Sequence, residues 1–178
     1  MLTIQSVNEM KKVAFIQHFG GVFEHSLWVA EQAVHNRPFS SRASLHEQMV
    51  LIVRESSNSD QLALLRNHPN LGAKIKMTDA SVKEQTGAGL TSLTKTEFNA
   101  FSSLNEAYIK KFDFPFIMAV RGKTKEEIYG QLKARLENDR ATEFERALNE
   151  VFAIAYLRLS DLVRETEADE CLQSQRIF

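Results

Sequence analysis

Apolar residues recur along most of this chain at the three- and four-residue spacing of amphipathic helices. Val7 to His18 predicts a first helix, stopped by Gly20-Gly21. Phe23, Leu27, Ala30 and Val34 predict a second over Val22 to His35, with Pro38 just beyond it. Ser44-x-x-Glu47 has capping-box form and opens a helix through Met49, Ile52 and Val53. Asp60 to Asn67 predicts another, ending near His68-Pro69 because the residue before a proline disfavours the α region. Leu71 to Thr78 reads as a loop, and Asp79 to Thr86 as a short helix that stops at Gly87-Ala88-Gly89. Thr94-x-x-Glu97 starts a long helix carrying Phe98, Phe101, Leu104, Tyr108 and Phe112. Thr124-x-x-Glu127 caps a helix to Glu137, and the last helix runs from Thr142 to Arg164.

One stretch breaks the helical pattern. Phe114 to Val120 is uniformly apolar, and Pro115 argues against a regular helix through its start. Periodicity alone does not separate a buried strand from a helix segment there. The expected architecture is all-α: a single compact domain of about eight helices with one extended Phe-Pro-Phe segment. The domain spans residues 1–164. Residues 165–178 are polar and read as a tail or the start of a linker.

Composition narrows the class. The chain has 178 residues, 43% of them apolar, which suits one domain with a substantial core and argues against global disorder. A formal net charge of −1 does not indicate a nucleic-acid binder. Cys171 is the single cysteine, so neither an internal disulfide nor a multi-cysteine zinc site is expected. No apolar run approaches the roughly 20 residues of a membrane span. Met1 to Asn8 lacks signal-peptide features, and Gln175-Arg176-Ile177-Phe178 is not a peroxisomal address. A cytoplasmic protein is the expectation.

Four features could carry chemistry. His68 sits at a predicted helix end beside a stiffening proline, and an imidazole can exchange protons near neutrality. For a lone histidine, a helix-end cation facing the dipole is the commoner role. Ser81, Glu84 and Gln85 fall at i, i+3 and i+4, placing a hydroxyl, a carboxylate and a carboxamide on one helical face. Ser81-x-x-Glu84 is also a capping-box pattern. The Phe114–Val120 segment presents backbone groups that need partners, from the protein or from an amide-rich ligand. Arg158 falls inside the apolar stripe of the last helix, so its guanidinium needs a partner. A carboxylate ligand, a core glutamate or snorkelling to solvent would each serve. Other signals carry less. Gly87-Ala88-Gly89 follows no predicted strand, and the histidines show no metal-ligand spacing, so no metal is assigned.

At these residues the chain resembles the 2-oxo-4-hydroxy-4-carboxy-5-ureidoimidazoline (OHCU) decarboxylase family of urate degradation. The resemblance covers Phe15 to Val163. It is carried by Phe23-Glu24-His25-Ser26-Leu27-Trp28-Val29-Ala30, His68-Pro69-Asn70-Leu71-Gly72, Ser81-Val82-Lys83-Glu84-Gln85, Gly87-Ala88-Gly89-Leu90, Phe114-Pro115-Phe116 and Leu157-Arg158-Leu159. Order and spacing both agree. The chain is also similar to the decarboxylase half of bacterial fusions with a uricase, to which the polar tail would lead. Leu27 stands where the family often has proline, and Asn70 where an acidic residue often follows His-Pro. Both put local geometry in doubt more than activity.

The resemblance implies that His68 is the catalytic proton donor and that Glu84 works beside it. It implies substrate contacts from Pro69, Ser81, Val82, Lys83 and Gln85, from Phe116, Ile117, Met118, Ala119 and Val120, and from Arg158. It implies a cofactor-free homodimer, with a fused or associated uricase as partner. The expected activity is decarboxylation of OHCU to (S)-allantoin. The competing class is a non-catalytic helical docking or dimerisation module beside a uricase. A helical DNA-binding domain is a poorer third, since no basic recognition helix is present.

Overall fold

Short hydroxyl side chains start many of the helices. In the computed structural model, which describes residues 1–69 and 79–164, nine α-helices and two short 3₁₀ turns occur among the described residues. The only β pairing among them is the isolated bridge between Leu2 and Val163. The all-α class therefore stands. The loop expected over Leu71–Thr78 and the tail from Glu165 lie outside the described residues. The described residues pack as two compact units, one of Met1–Ser57 with residues 154–164, the other of residues 58–69 and 79–153.

The first unit holds α1 (Ile4–Glu9), α2 (Lys12–Phe19), α3 (Leu27–Ala33) and α4 (Arg42–Glu55). The single helix expected over Val7–His18 is in fact two. A capping box between Thr3 and Ser6 starts α1 before the predicted point. Met10 and Lys11 then turn extended. Arg37 donates to the carbonyls of Asn8 and Met10, which gives those groups partners outside a continuous helix. The expected helix over Val22–His35 begins only at Leu27. Before it the chain turns, with His25 in the left-handed region at φ 54°. Ser44 is no cap: α4 starts two residues earlier, and the Ser44 N–H donates to Ser41 Oγ at 3.0 Å. Phe15, Phe19, Leu45, Met49, Val53 and Leu159 are buried in this unit's core. Each such side chain contributes roughly 1.5–3 kcal/mol through burial.

The second unit holds α5 (Asn58–Arg66), α6 (Asp79–Gly87), α7 (Lys95–Phe112), α8 (Lys125–Arg135) and the part of α9 (Arg140–Leu162) up to Ala153. The capping boxes read at Thr94-Glu97 and Thr124-Glu127 both form. α9 opens two residues before the expected Thr142, because Asp139 Oδ1 accepts from the N–H groups of Ala141 and Thr142, each at 3.0 Å. No described helix is long and apolar enough to cross a membrane.

Glu97 links two of these caps. Its carboxylate accepts from Thr94 N–H at 2.8 Å and from the Lys125 ammonium. Lys125 first, then the Thr94 cap, hold its pKa down from 4.5 to about 2. A depressed carboxyl favours the folded state above its ordinary pKa, and that contribution is lost as pH falls from about 4.5 toward about 2. Carbon-detected NMR titration should place Glu97 near the lower value, and Lys125→Met should move it upward. An ordinary Glu97 titration in the wild type would contradict this assignment.

Candidate active site

His68 follows α5 directly, and its N–H closes the helix end on the Leu65 carbonyl at 3.2 Å. His68 and Pro69 are both half-buried. On α6, Ser81 and Gln85 are each 3% exposed and Glu84 is half-buried, whereas Val82 and Lys83 are exposed. The helical period thus separates the five residues into an inward set at 81, 84 and 85 and an outward set at 82 and 83. α6 begins at Asp79, so Ser81 is its third residue and cannot be its N-cap. The capping-box alternative for Ser81 and Glu84 is therefore removed, and the hydroxyl, carboxylate and carboxamide share one face. α6 ends at Gly87, and two residues on Gly89 adopts φ 74°, a conformation that costs glycine little.

Phe114 to Val120 joins α7 to α8 as neither helix nor paired strand. Its backbone is held largely by side chains. Phe116 N–H donates to Asn105 Oδ1 at 3.3 Å, the Ile117 carbonyl accepts from Arg135 Nη1 at 2.8 Å, and Ala119 N–H donates to Glu150 Oε2 at 2.9 Å. Among the described residues, none hydrogen-bonds the main-chain N–H or C=O of Met118. Phe116, Ile117, Met118 and Val120 are buried, and Ala119 is half-buried.

The side chains that hold this segment are themselves anchored. Arg135 donates through Nε at 2.8 Å, and through Nη2, to Glu143 Oε1. Tyr108 also donates to that oxygen, and Asn138 Nδ2 donates to Glu143 Oε2 at 2.6 Å. Glu143 is fully buried and Arg135 nearly so. Burial, and next the carboxylate it donates to, push the Tyr108 phenol well above its ordinary pKa, so it stays a donor. The Arg135 guanidinium also lies 4.6 Å from the centre of the Phe116 ring. None of Asn105, Arg135, Glu143 or Glu150 stood out in the sequence.

Beside the same segment is a cleft of about 600 Å³, whose lining includes Met118, Ala119, Lys123, Gly130, Arg146 and Glu150. His68, Ser81, Glu84 and Gln85 do not line it. Among the described residues, no three His, Cys, Asp or Glu side chains gather as metal ligands.

Arg158, in the first unit, is 5% exposed. Its Nη2 meets Glu24 Oε2 at 3.1 Å, and its Nη1 donates to the carbonyls of Gly21 at 3.3 Å and Val22 at 3.4 Å. Of the partners open to it from the sequence, the core glutamate is present. Glu24 and the turn before α3 are built around this guanidinium.

Helices, one side-chain-held irregular segment and a polar face on a short helix define an all-α protein whose apolar core encloses a few paired polar groups. The sequence profile of the family described as OHCU decarboxylase matches residues 8–160. The chain belongs to that family. It is 50% identical over 94% of its length to a uric acid degradation bifunctional protein of Bacillus sp. (strain TB-90), of which it covers 33%. It thus spans about a third of that relative, and likewise 33% of the bifunctional protein PucL of Bacillus subtilis. It is 44% identical over 90% of its length to a 2-oxo-4-hydroxy-4-carboxy-5-ureidoimidazoline decarboxylase of Haloferax volcanii, covering 95% of that protein. Among solved structures it resembles a crystal structure of (S)-allantoin synthase, with TM-score 0.75 and 31% identity over 91% of this chain and 54% of that one. It also resembles OHCU decarboxylase crystallised in the presence of (S)-allantoin, with TM-score 0.68 and 26% identity over 81% of this chain and 95% of that one.

Proposed function

We propose that this protein decarboxylates OHCU to (S)-allantoin in urate degradation, without a cofactor. The observation that carries the reading, beside family membership, is the inward face of α6. There a buried hydroxyl and carboxamide flank a half-buried carboxylate, two to six residues inside a helix that begins at Asp79.

The substrate brings its own electron sink. When the carbon–carboxylate bond breaks and CO2 leaves, the electron pair enters the adjacent ring C=N bond. The ring nitrogen that receives those electrons takes up a proton, the hydroxyl on the decarboxylated carbon loses its proton as a carbonyl forms, and a proton is delivered to the ureido-bearing carbon. Atoms and charge balance with one net proton taken up. The protein must orient the carboxylate, move protons and protonate one face. His68 is assigned the proton delivery, with Glu84 orienting or charging it. Ser81 and Gln85 hold ring and ureido amides, as do the main-chain groups of Met118, which no described residue engages. Pro69, Val82, Lys83 and the rest of Phe116–Val120 remain contact residues of this proposal. Arg158 keeps anion recognition on the resemblance alone. In the same proposal the protein is a cytoplasmic homodimer that works fused to, or beside, a uricase. The names of the bifunctional relatives support that setting.

The test follows the absorbance decay of freshly generated OHCU with and without protein. Glu84→Gln should slow the catalysed decay about a hundredfold. Its melting temperature should stay near wild type if the carboxylate serves the chemistry, since Ser81-x-x-Glu84 does not start α6. An active but unstable Glu84→Gln protein would point to a structural role instead. No acceleration by the wild type would overturn the proposal.

A further inference from the structure

We propose that Arg66 is a positioning residue for the reaction: its guanidinium fork ties the α5 end that carries His68 to the start of the Phe114–Val120 segment. The inference rests on the proposed decarboxylase reading and deepens it.

Arg66 is the last residue of α5. Its Nε donates to the main-chain carbonyl of Asp113 at 3.1 Å, and its Nη2 donates to the Asp113 carboxylate. Asp113 closes α7 in the left-handed region at φ 72°, with its N–H on the Ile109 carbonyl at 2.8 Å. Arg140, the first residue of α9, approaches the same carboxylate at 3.6 Å. One junction therefore gathers two helix ends and a helix start.

The two pieces so joined are stiff on either side. From Arg66 to His68 the backbone stays hydrogen-bonded, with Asn67 N–H on the Ala63 carbonyl at 3.0 Å and His68 N–H on that of Leu65 at 3.2 Å. Pro69 then restricts His68 itself. Beyond Asp113, Pro115 fixes its own φ, and Phe116 N–H is held by Asn105. A displacement at the tether is thus passed to the imidazole and to the segment without a flexible residue to absorb it. Both partners are about half exposed, at 50% and 52%, so the ion pair adds little to stability. A fork that engages a carbonyl and a carboxylate together fixes direction as well as distance. Its value is geometric, and small misplacements of reacting groups cost rate steeply.

The experiment compares wild type, Arg66→Ala and Arg66→Lys on freshly generated OHCU, with melting temperatures. Lysine keeps the charge but has no Nε–H fork to span both acceptors. We expect kcat to fall about ten- to a hundredfold in both variants, with KM within about twofold and melting temperature unchanged. Wild-type kcat in either variant overturns the inference, and so does a loss that merely follows a fall in melting temperature. An inactive wild type would instead overturn the decarboxylase reading on which it rests.

Discussion

Replacing His68 with alanine should bring OHCU turnover down to the uncatalysed rate and leave a racemic product. Histidine's ordinary pKa near 6.5 lets it both carry and release a proton at neutral pH. Positioned acid–base groups contribute about 10²- to 10⁴-fold, so the loss should be large against spontaneous decay. His68 lies just past the α5 end and is half-buried, so alanine there removes no element of the core. Circular dichroism should stay helical. Full activity in His68→Ala would remove this residue from the mechanism.

The second large effect concerns the scaffold. Glu143→Ala should destabilise the protein by about 3–5 kcal/mol, because it strips a buried guanidinium of its hydrogen-bonded carboxylate and leaves only Glu150, at 3.9 Å. Glu143 accepts from Arg135, Tyr108 and Asn138, and Arg135 in turn holds the Ile117 carbonyl. A chain of this size loses roughly 2–4 °C in melting temperature per kcal/mol, so the shift should exceed about 6 °C. Urea denaturation of wild type, Glu143→Ala and Glu143→Gln measures it. Glutamine retains an acceptor but not the charge and should fall between the other two. An unchanged midpoint for Glu143→Ala would show that the network carries no net stability.

How much of this was legible follows from what each residue needs. The caps at Thr94 and Thr124 were readable because their partners lie three residues away. Ser44-x-x-Glu47 and Ser81-x-x-Glu84 have the same form, yet Ser44 and Ser81 sit inside helices. A capping pattern states what a start can look like, not where the chain starts. The break between α1 and α2 was illegible because Arg37, far along the chain, supplies donors to Asn8 and Met10. Arg158 stood out by its place in an apolar stripe, and Glu24 is the buried partner that such a position demands. The same signal was present and unused at Arg135, seven residues after Ile128 and three after Leu132, both buried. It was present again at Glu143, four residues before the buried Ala147. Those two charges meet across a loop, which spacing within either helix alone does not reveal. His68 and α6 were legible as candidates, since residue type and helical face are local properties. The side-chain hold on Phe116–Ala119 was not, because its donors and acceptors come from α7, α8 and α9.

The most direct test of the central claim is the chirality of the allantoin formed from freshly generated OHCU. Spontaneous decay yields racemate, whereas a proton delivered from one fixed donor sets a single configuration. Chiral chromatography of the product with protein present should show predominantly (S)-allantoin. Racemic allantoin, formed at the same rate with and without the protein, would contradict the account.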